Sequence, residues 1–332
     1  MRRARAIAAL AALAMLSGID ASAARDFDAP VTARSIDAFR IGSDETRFGP
    51  FTFVGGMSLS SGLSHFGSLS SFRFLDPGSR FLAVTDNGFW FGGRIERDGE
   101  GRPTGISGGW MSEIMGPDGR PLGSKYEADA ESLSIFGQTA TVGFERYHRI
   151  TSYRLENGRP GPAGASTDFI VPARELRTNR GFECVVHSPA EGLLGGGRVA
   201  VTEKSLDRNG NIFGAVLEGP RRGMFTVAKS GVYDITDCAF LPDGDLLLLE
   251  RRYSLATGVG MQIRRIAGAS IGKGAVLDGD ILFTGGMEYQ IDNMEGMDVW
   301  RAGDGTLRLS LVSDDNKSLL QRTLYLEFVI AE

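Results

Sequence analysis

Histidine and cysteine are close to absent: the 332 residues hold three of the first and two of the second. Three histidines leave little room for a His-rich metal centre. Two cysteines exclude a disulfide-dense scaffold and a Cys-rich zinc module. Stretches with helical periodicity are almost missing, and the apolar run over residues 7–16 is too short to span a membrane. Basic charge is also short, with 36 Lys and Arg against 41 Asp and Glu, which gives no electrostatic reason to seek nucleic acid. No basic amphipathic helix suggests a membrane surface. A small ligand or a cation is the partner that remains.

What is abundant is glycine, 46 residues, about twice the usual share. With 42% apolar residues the chain can pack a core, and no collagen period accompanies the glycines, so they mark turns. At the start, Arg2, Arg3 and Arg5 precede the apolar run, and Ala21, Ser22 and Ala23 supply a small-residue cleavage pattern. Residues 1–23 therefore read as a signal peptide, which predicts a periplasmic or secreted protein. Its removal takes three arginines and Asp20 with it and leaves 33 basic against 40 acidic residues.

Short β-rich runs recur along the rest: 81–85 (FLAVT), 139–144 (TATVGF), 198–202 (RVAVT), 246–249 (LLLL) and 307–312 (LRLSLV). Turn residues separate them, clearest at 242–245 (PDGD) and 303–305 (GDG). An acidic residue opens one run and another closes the next: Glu131 and Glu145, Glu183 and Glu203, Asp237 and Glu250, Glu295 and Asp314. An earlier unit opens at Gly62 and closes at Asp86, so the opening positions lie 69, 52, 54 and 58 residues apart. A period in the fifties with several strands per unit predicts an all-β fold, a β-propeller of five recognisable repeat units. Six blades stay open if the stretch between Asp86 and Glu131 holds further strands. The propeller is expected over 50–330, with 24–49 as an N-terminal segment; residues near 39–53 would supply the outer strand that closes the last blade.

The first two strands of a blade are antiparallel, so the start of one and the end of the other share a face. Asp86, Glu131, Glu145, Glu183, Glu203, Asp237, Glu250, Glu295 and Asp314 are then candidate metal ligands around one mouth of the channel. Crowded carboxylates raise one another's pKa, and either a bound cation or nearby basic residues relieve that cost. Oxygen ligands with few histidines suit Ca2+ or Mg2+ better than Zn2+, and Ca2+ is the expected ion. Arg146, Lys204 and Arg251, each just beyond a closing acid, and His148 at the next corner are candidates for contact with a reacting anion. Salt bridges that fasten neighbouring blades are the alternative role for the same pairs. Ser107, within the G-x-S-x-G pattern at 105–109, follows a polar turn rather than a buried strand and is not read as a nucleophile. Cys184 and Cys238 follow Glu183 and Asp237 in equivalent places. Equivalent points on neighbouring inner strands are expected to lie too far apart to bridge, which predicts two buried thiols.

The segments 129–133 (DAESL), 144–150 (FERYHRI), 181–183 (GFE), 241–252 (LPDGDLLLLERR), 290–297 (QIDNMEGM) and 313–316 (SDDN) together resemble the bacterial phytase-like, or "esterase-like activity of phytase", proteins. The resemblance covers roughly 50–330. It implies an exported β-propeller and hydrolysis of a small-molecule phosphoester or other ester. A non-catalytic binding propeller and a metal-dependent lactonase are the competing readings.

Overall fold

The computed structural model describes residues 25–177 and 181–331; the expected signal peptide lies outside the described residues. Five small sheets stand around one axis, a five-bladed β-propeller. From the axis outward, the first blade comprises Leu69–Phe74, Arg80–Thr85, Phe89–Arg97 and Pro103–Glu113, strands A to D. In the second blade these are Ala130–Phe136, Thr139–Phe144, Arg149–Glu156 and Arg159–Thr167. Strands Phe182–His187, Arg198–Leu206, Ile212–Val216 and Gly223–Val227 form the third. Asp234–Phe240, Leu246–Ser254, Gly258–Ile266 and Asp280–Gly285 form the fourth. In the fifth, Asn293–Arg301, Leu307–Asp314 and Thr323–Ile330 are completed by Phe51–Ser60 from near the N-terminus, which closes the ring. The stretch between Asp86 and Glu131 supplies only the outer strands of the first blade and a short helix, Lys125–Ala128, so no sixth blade exists there.

Val276–Leu277 adds a parallel edge strand to the third blade. Two boundaries differ from the sequence reading. The closing strand is Phe51–Ser60 rather than 39–53, because Thr32–Ile36 and Arg47–Phe48 pair outside it. Gly62 belongs to the loop before the first inner strand.

Five buried apolar clusters fill the five gaps between neighbouring blades. A middle strand with a blade on either side is buried on both faces, and this explains the unbroken run Leu246 to Leu249. Leu246 and Leu248 face the third blade, and Leu247 and Leu249 face the fifth. Each fully buried leucine contributes about 1.5–3 kcal/mol, so the run fastens the fourth blade on both sides.

Every inner strand carries a bulge near its start, at Ser70, Glu131, Glu183, Thr236 and Glu295. Measured from the bulge, the following residue faces the next blade, and the one after it faces the previous blade. Cys184 is the first kind and Cys238 the second, so their side chains meet across the gap between the third and fourth blades. They form a disulfide with Cα atoms 5.3 Å apart. The expectation of two thiols fails because the cysteines are not equivalent: counting from the acid placed the fourth blade one residue out of frame.

The same slip moves Asp237 and Glu250. Asp237 reaches across the axis to Arg73 of the first blade, accepting from both guanidinium Nη atoms at 2.7 Å. It also accepts the backbone N–H of Cys238 at 2.7 Å and of Met297 at 2.8 Å. Arg73 donates further to the carbonyls of Met297 at 2.6 Å and Cys238 at 3.0 Å. This buried clasp blocks the channel between its two mouths. Breaking a buried pair by removing one charge costs about 3–5 kcal/mol. Asp237→Asn is therefore expected to lower the free energy of unfolding by that amount in urea, with part of it recovered in Arg73→Met/Asp237→Leu. An unchanged midpoint in Asp237→Asn would contradict this account.

Candidate metal and ester site

Each inner-strand bulge lies beside the residue that follows the strand-B partner of the residue before the bulge. The pairs are Ser70 with Asp86, Glu131 with Glu145, Glu183 with Glu203, Thr236 with Arg251, and Glu295 with Asp314. Thr236 is buried and donates to the carbonyl of Met294 at 2.9 Å. The other nine line a cup of about 280 Å³ together with Lys125, Asp129, Arg146, Asn293 and Asn316. Seven of the nine expected ligands are thus brought together. Asp237 and Glu250 are not, the latter being held by Arg264 at 2.6 Å and by Gln262 at 2.7 Å.

Asp129 was missed as a candidate, although it stands two residues before Glu131 in the same segment. It follows the short helix Lys125–Ala128 and receives Arg146 and Lys125. Arg146 adopts φ 54°, a left-handed conformation that costs an L-residue about 1–2 kcal/mol. From that corner its guanidinium turns back to Asp129. Arg251 takes the place an acid holds in the other blades, 2.9 Å from Glu295 and 3.7 Å from Glu203. Lys204 contacts Asp234 at 2.6 Å and Glu203 at 3.2 Å, outside the cup lining. His148 also stands outside it, and burial lowers its pKa.

The carboxylates are close enough to share one ion. One oxygen from each of Glu145, Glu183 and Glu203 lies within 4.8 Å of the others, and Asp129, Glu131 and Glu145 form a second such trio. Oxygens about 2.3–2.6 Å from a common calcium can be no farther apart than about 5 Å, so both trios fit. Glu131 and Glu183 sit well above the ordinary carboxylate range, first through burial and then through their acidic neighbours. Glu145 is raised, again chiefly by burial. Burial pushes Glu295 up to about 8 despite Arg251, and Asp314 up to about 7. Asp86 Oδ1 is buried without a hydrogen-bond partner. Such a set either holds protons or holds a cation.

The other two histidines are used in packing. His65 stacks on Phe89 with ring centroids 4.5 Å apart. His187 stacks on Phe136 at 4.7 Å and bonds the Ser134 hydroxyl at 2.9 Å.

The family described as "Phytase-like: Esterase-like activity of phytase" matches residues 64–317, well over half of the chain. No curated protein matches the sequence. Among solved structures, the chain is similar to a thermostable family-43 glycoside hydrolase at 11% identity and a TM-score of 0.50, covering 80% of this chain and 90% of that one. It is also similar to the PQQ-bound form of an aldose sugar dehydrogenase from Streptomyces coelicolor, at 13% identity and a TM-score of 0.41, covering 90% and 99%. The likeness to the glycoside hydrolase is one of fold. No described helix is long and apolar enough to cross a membrane.

Carboxyls with raised pKa bind more protons folded than unfolded, so stability falls as pH rises from the ordinary carboxylate range through the folded value. In chelator, the thermal midpoint is expected to drop as pH climbs toward about 8, the value of Glu295. Glu295→Gln should flatten that slope. A midpoint that rises across the same window, followed by calorimetry, would contradict the assignment.

Proposed function

The chain belongs to the phytase-like family described by its esterase-like activity, and on that premise we propose that it is an exported, metal-assisted hydrolase of phosphate or other esters. The observation that carries this reading is the pair of carboxylate trios sharing Glu145. Asp129, Glu131, Glu145, Glu183 and Glu203 would hold the ion. An all-oxygen, irregular donor set favours Ca2+ over Mg2+, which demands near-octahedral geometry. Bound there, Ca2+ supplies Lewis acidity toward an ester oxygen and acidifies a water.

The chain's own groups do the rest. Arg146 and Arg251, on the cup wall, counter the negative charge that develops on the reacting phosphoryl or acyl group. Asp314 accepts the Asn316 N–H at Oδ1 (2.7 Å), and its Oδ2, on a group with a pKa near 7, takes the proton of the attacking water. The water oxygen forms the new bond to phosphorus or acyl carbon, the bond to the ester oxygen breaks, and the alcohol leaves with the proton that Asp314 took up. Lys204 acts at one remove, by positioning Glu203. His148, expected among the reacting groups, is given no catalytic step.

Export is supported by the basic, apolar and small-residue succession over residues 1–23 and by the Cys184–Cys238 bridge, a bond at home in oxidising compartments. With free Ca2+, the purified chain is expected to hydrolyse 4-nitrophenyl phosphate or acetate faster than in chelator. Glu183→Gln should weaken Ca2+ by at least roughly tenfold, in line with the loss of a metal-site partner. Equal rates with calcium and with chelator, in both proteins, would contradict the proposal.

A further inference from the structure

We infer that the ester carries a single phosphoryl or acyl group and an aromatic group, and that the aromatic group lies in a groove beside Tyr147; the inference rests on the metal-assisted ester reading. Charge sets the first half. Eight carboxylates and three basic side chains line the cup. All three basic groups are already committed. Lys125 lies 2.7 Å from Asp86 and 3.2 Å from Asp129, Arg146 is paired with Asp129, and Arg251 is paired with Glu295 and Glu203. Arg146 and Arg251 already serve the reacting group, and Lys125 is held by Asp86 and Asp129, so a second phosphate on a polyphosphorylated ligand finds no further base among the described residues of the cup.

The groove sets the second half. A hollow of about 370 Å³, within the size range of small-ligand sites, is lined by Leu122, Tyr147, Arg149, Tyr153 and Ala163, with Glu127 at its edge. Two short segments contribute to both the groove and the cup. Arg146 lines the cup and the next residue, Tyr147, lines the groove; Lys125 and Asp129 line the cup on either side of Glu127. Arg149 is not a free anion receptor. Its guanidinium lies 3.7 Å over Phe144 and 5.4 Å from the Tyr147 ring, and it donates to the carbonyls of Tyr147 and Glu127. Tyr126 and Tyr147 stand with ring centroids 6.2 Å apart, 56% and 55% exposed. These two uncovered rings, each next in sequence to a cup-lining residue, Lys125 and Arg146, offer stacking to an aryl group whose ester oxygen is at the ion.

The test is calorimetric binding of phenylphosphonate, methylphosphonate and a hexose bisphosphate to the calcium-loaded chain at fixed free Ca2+, alongside hydrolysis of phenyl and methyl phosphate. Phenylphosphonate is expected to bind at least tenfold more tightly than methylphosphonate, and the bisphosphate no more tightly than the methyl compound. Tyr147→Ala should abolish the phenyl advantage and leave Ca2+ affinity unchanged. Calcium-dependent hydrolysis with equal phenyl and methyl affinities, a preference that survives Tyr147→Ala, or a bisphosphate that binds best would overturn the inference while the hydrolase reading stands. No calcium-dependent hydrolysis and no phosphonate binding would overturn both.

Discussion

Repulsion among carboxylates at one mouth of the channel is the constraint that the rest of the arrangement answers. Five inner strands converge on an axis, and each turns its bulge toward the same end. Four of the five blades place an acid beside the bulge from strand B or its end, three of them with a second acid at the bulge itself. The fourth blade is the exception, and its Arg251 stands between Glu203 and Glu295, where a fifth carboxylate in that position would have made the crowding worse. Lys125 and Arg146 come from a short helix and a strained corner to meet Asp129. Among the described residues, no Lys or Arg forms an ion pair with Glu145 or Glu183. Protons or a metal ion would supply the balance there.

The middle of the channel obeys a different rule. Arg73 and Asp237 satisfy each other and the surrounding backbone in full, and the disulfide ties the third and fourth blades beside them. Glu183 immediately precedes Cys184, so the same short segment that anchors the ring also presents an acid to the cup. Rigidity below the cup keeps the carboxylates from relaxing apart. That cost is what a bound cation would relieve.

The blade pattern was legible because a strand buried on both faces reads as a continuous apolar run, and its corners read as Gly and Asp. Glu131, Glu183 and Glu295 were legible for the same reason, since each follows an apolar residue at the head of its strand. The fourth blade was misread because acids, rather than strand parity, were used to align it. The better guide was the apolar, bulge, small, apolar succession shared by 69–72 (LSSF), 130–133 (AESL), 182–185 (FECV) and 294–297 (MEGM), against which 235–238 (ITDC) places Thr236, not Asp237, at the bulge. One residue of slip carried Asp237, Glu250 and the cysteine pair with it. The Tyr147 groove was not legible at all, because it joins a loop of the first blade to the outer strands of the second.

The central claim is that the cup exchanges protons for a cation. Calcium titration of the mature chain at pH 7, by calorimetry in two buffers of different ionisation heat, counts both at once. The account predicts saturable binding accompanied by release of protons from the Glu145 and Glu183 cluster, both weakened in Glu183→Gln. Binding without proton release, or titration heats that Glu183→Gln leaves unchanged, would contradict it.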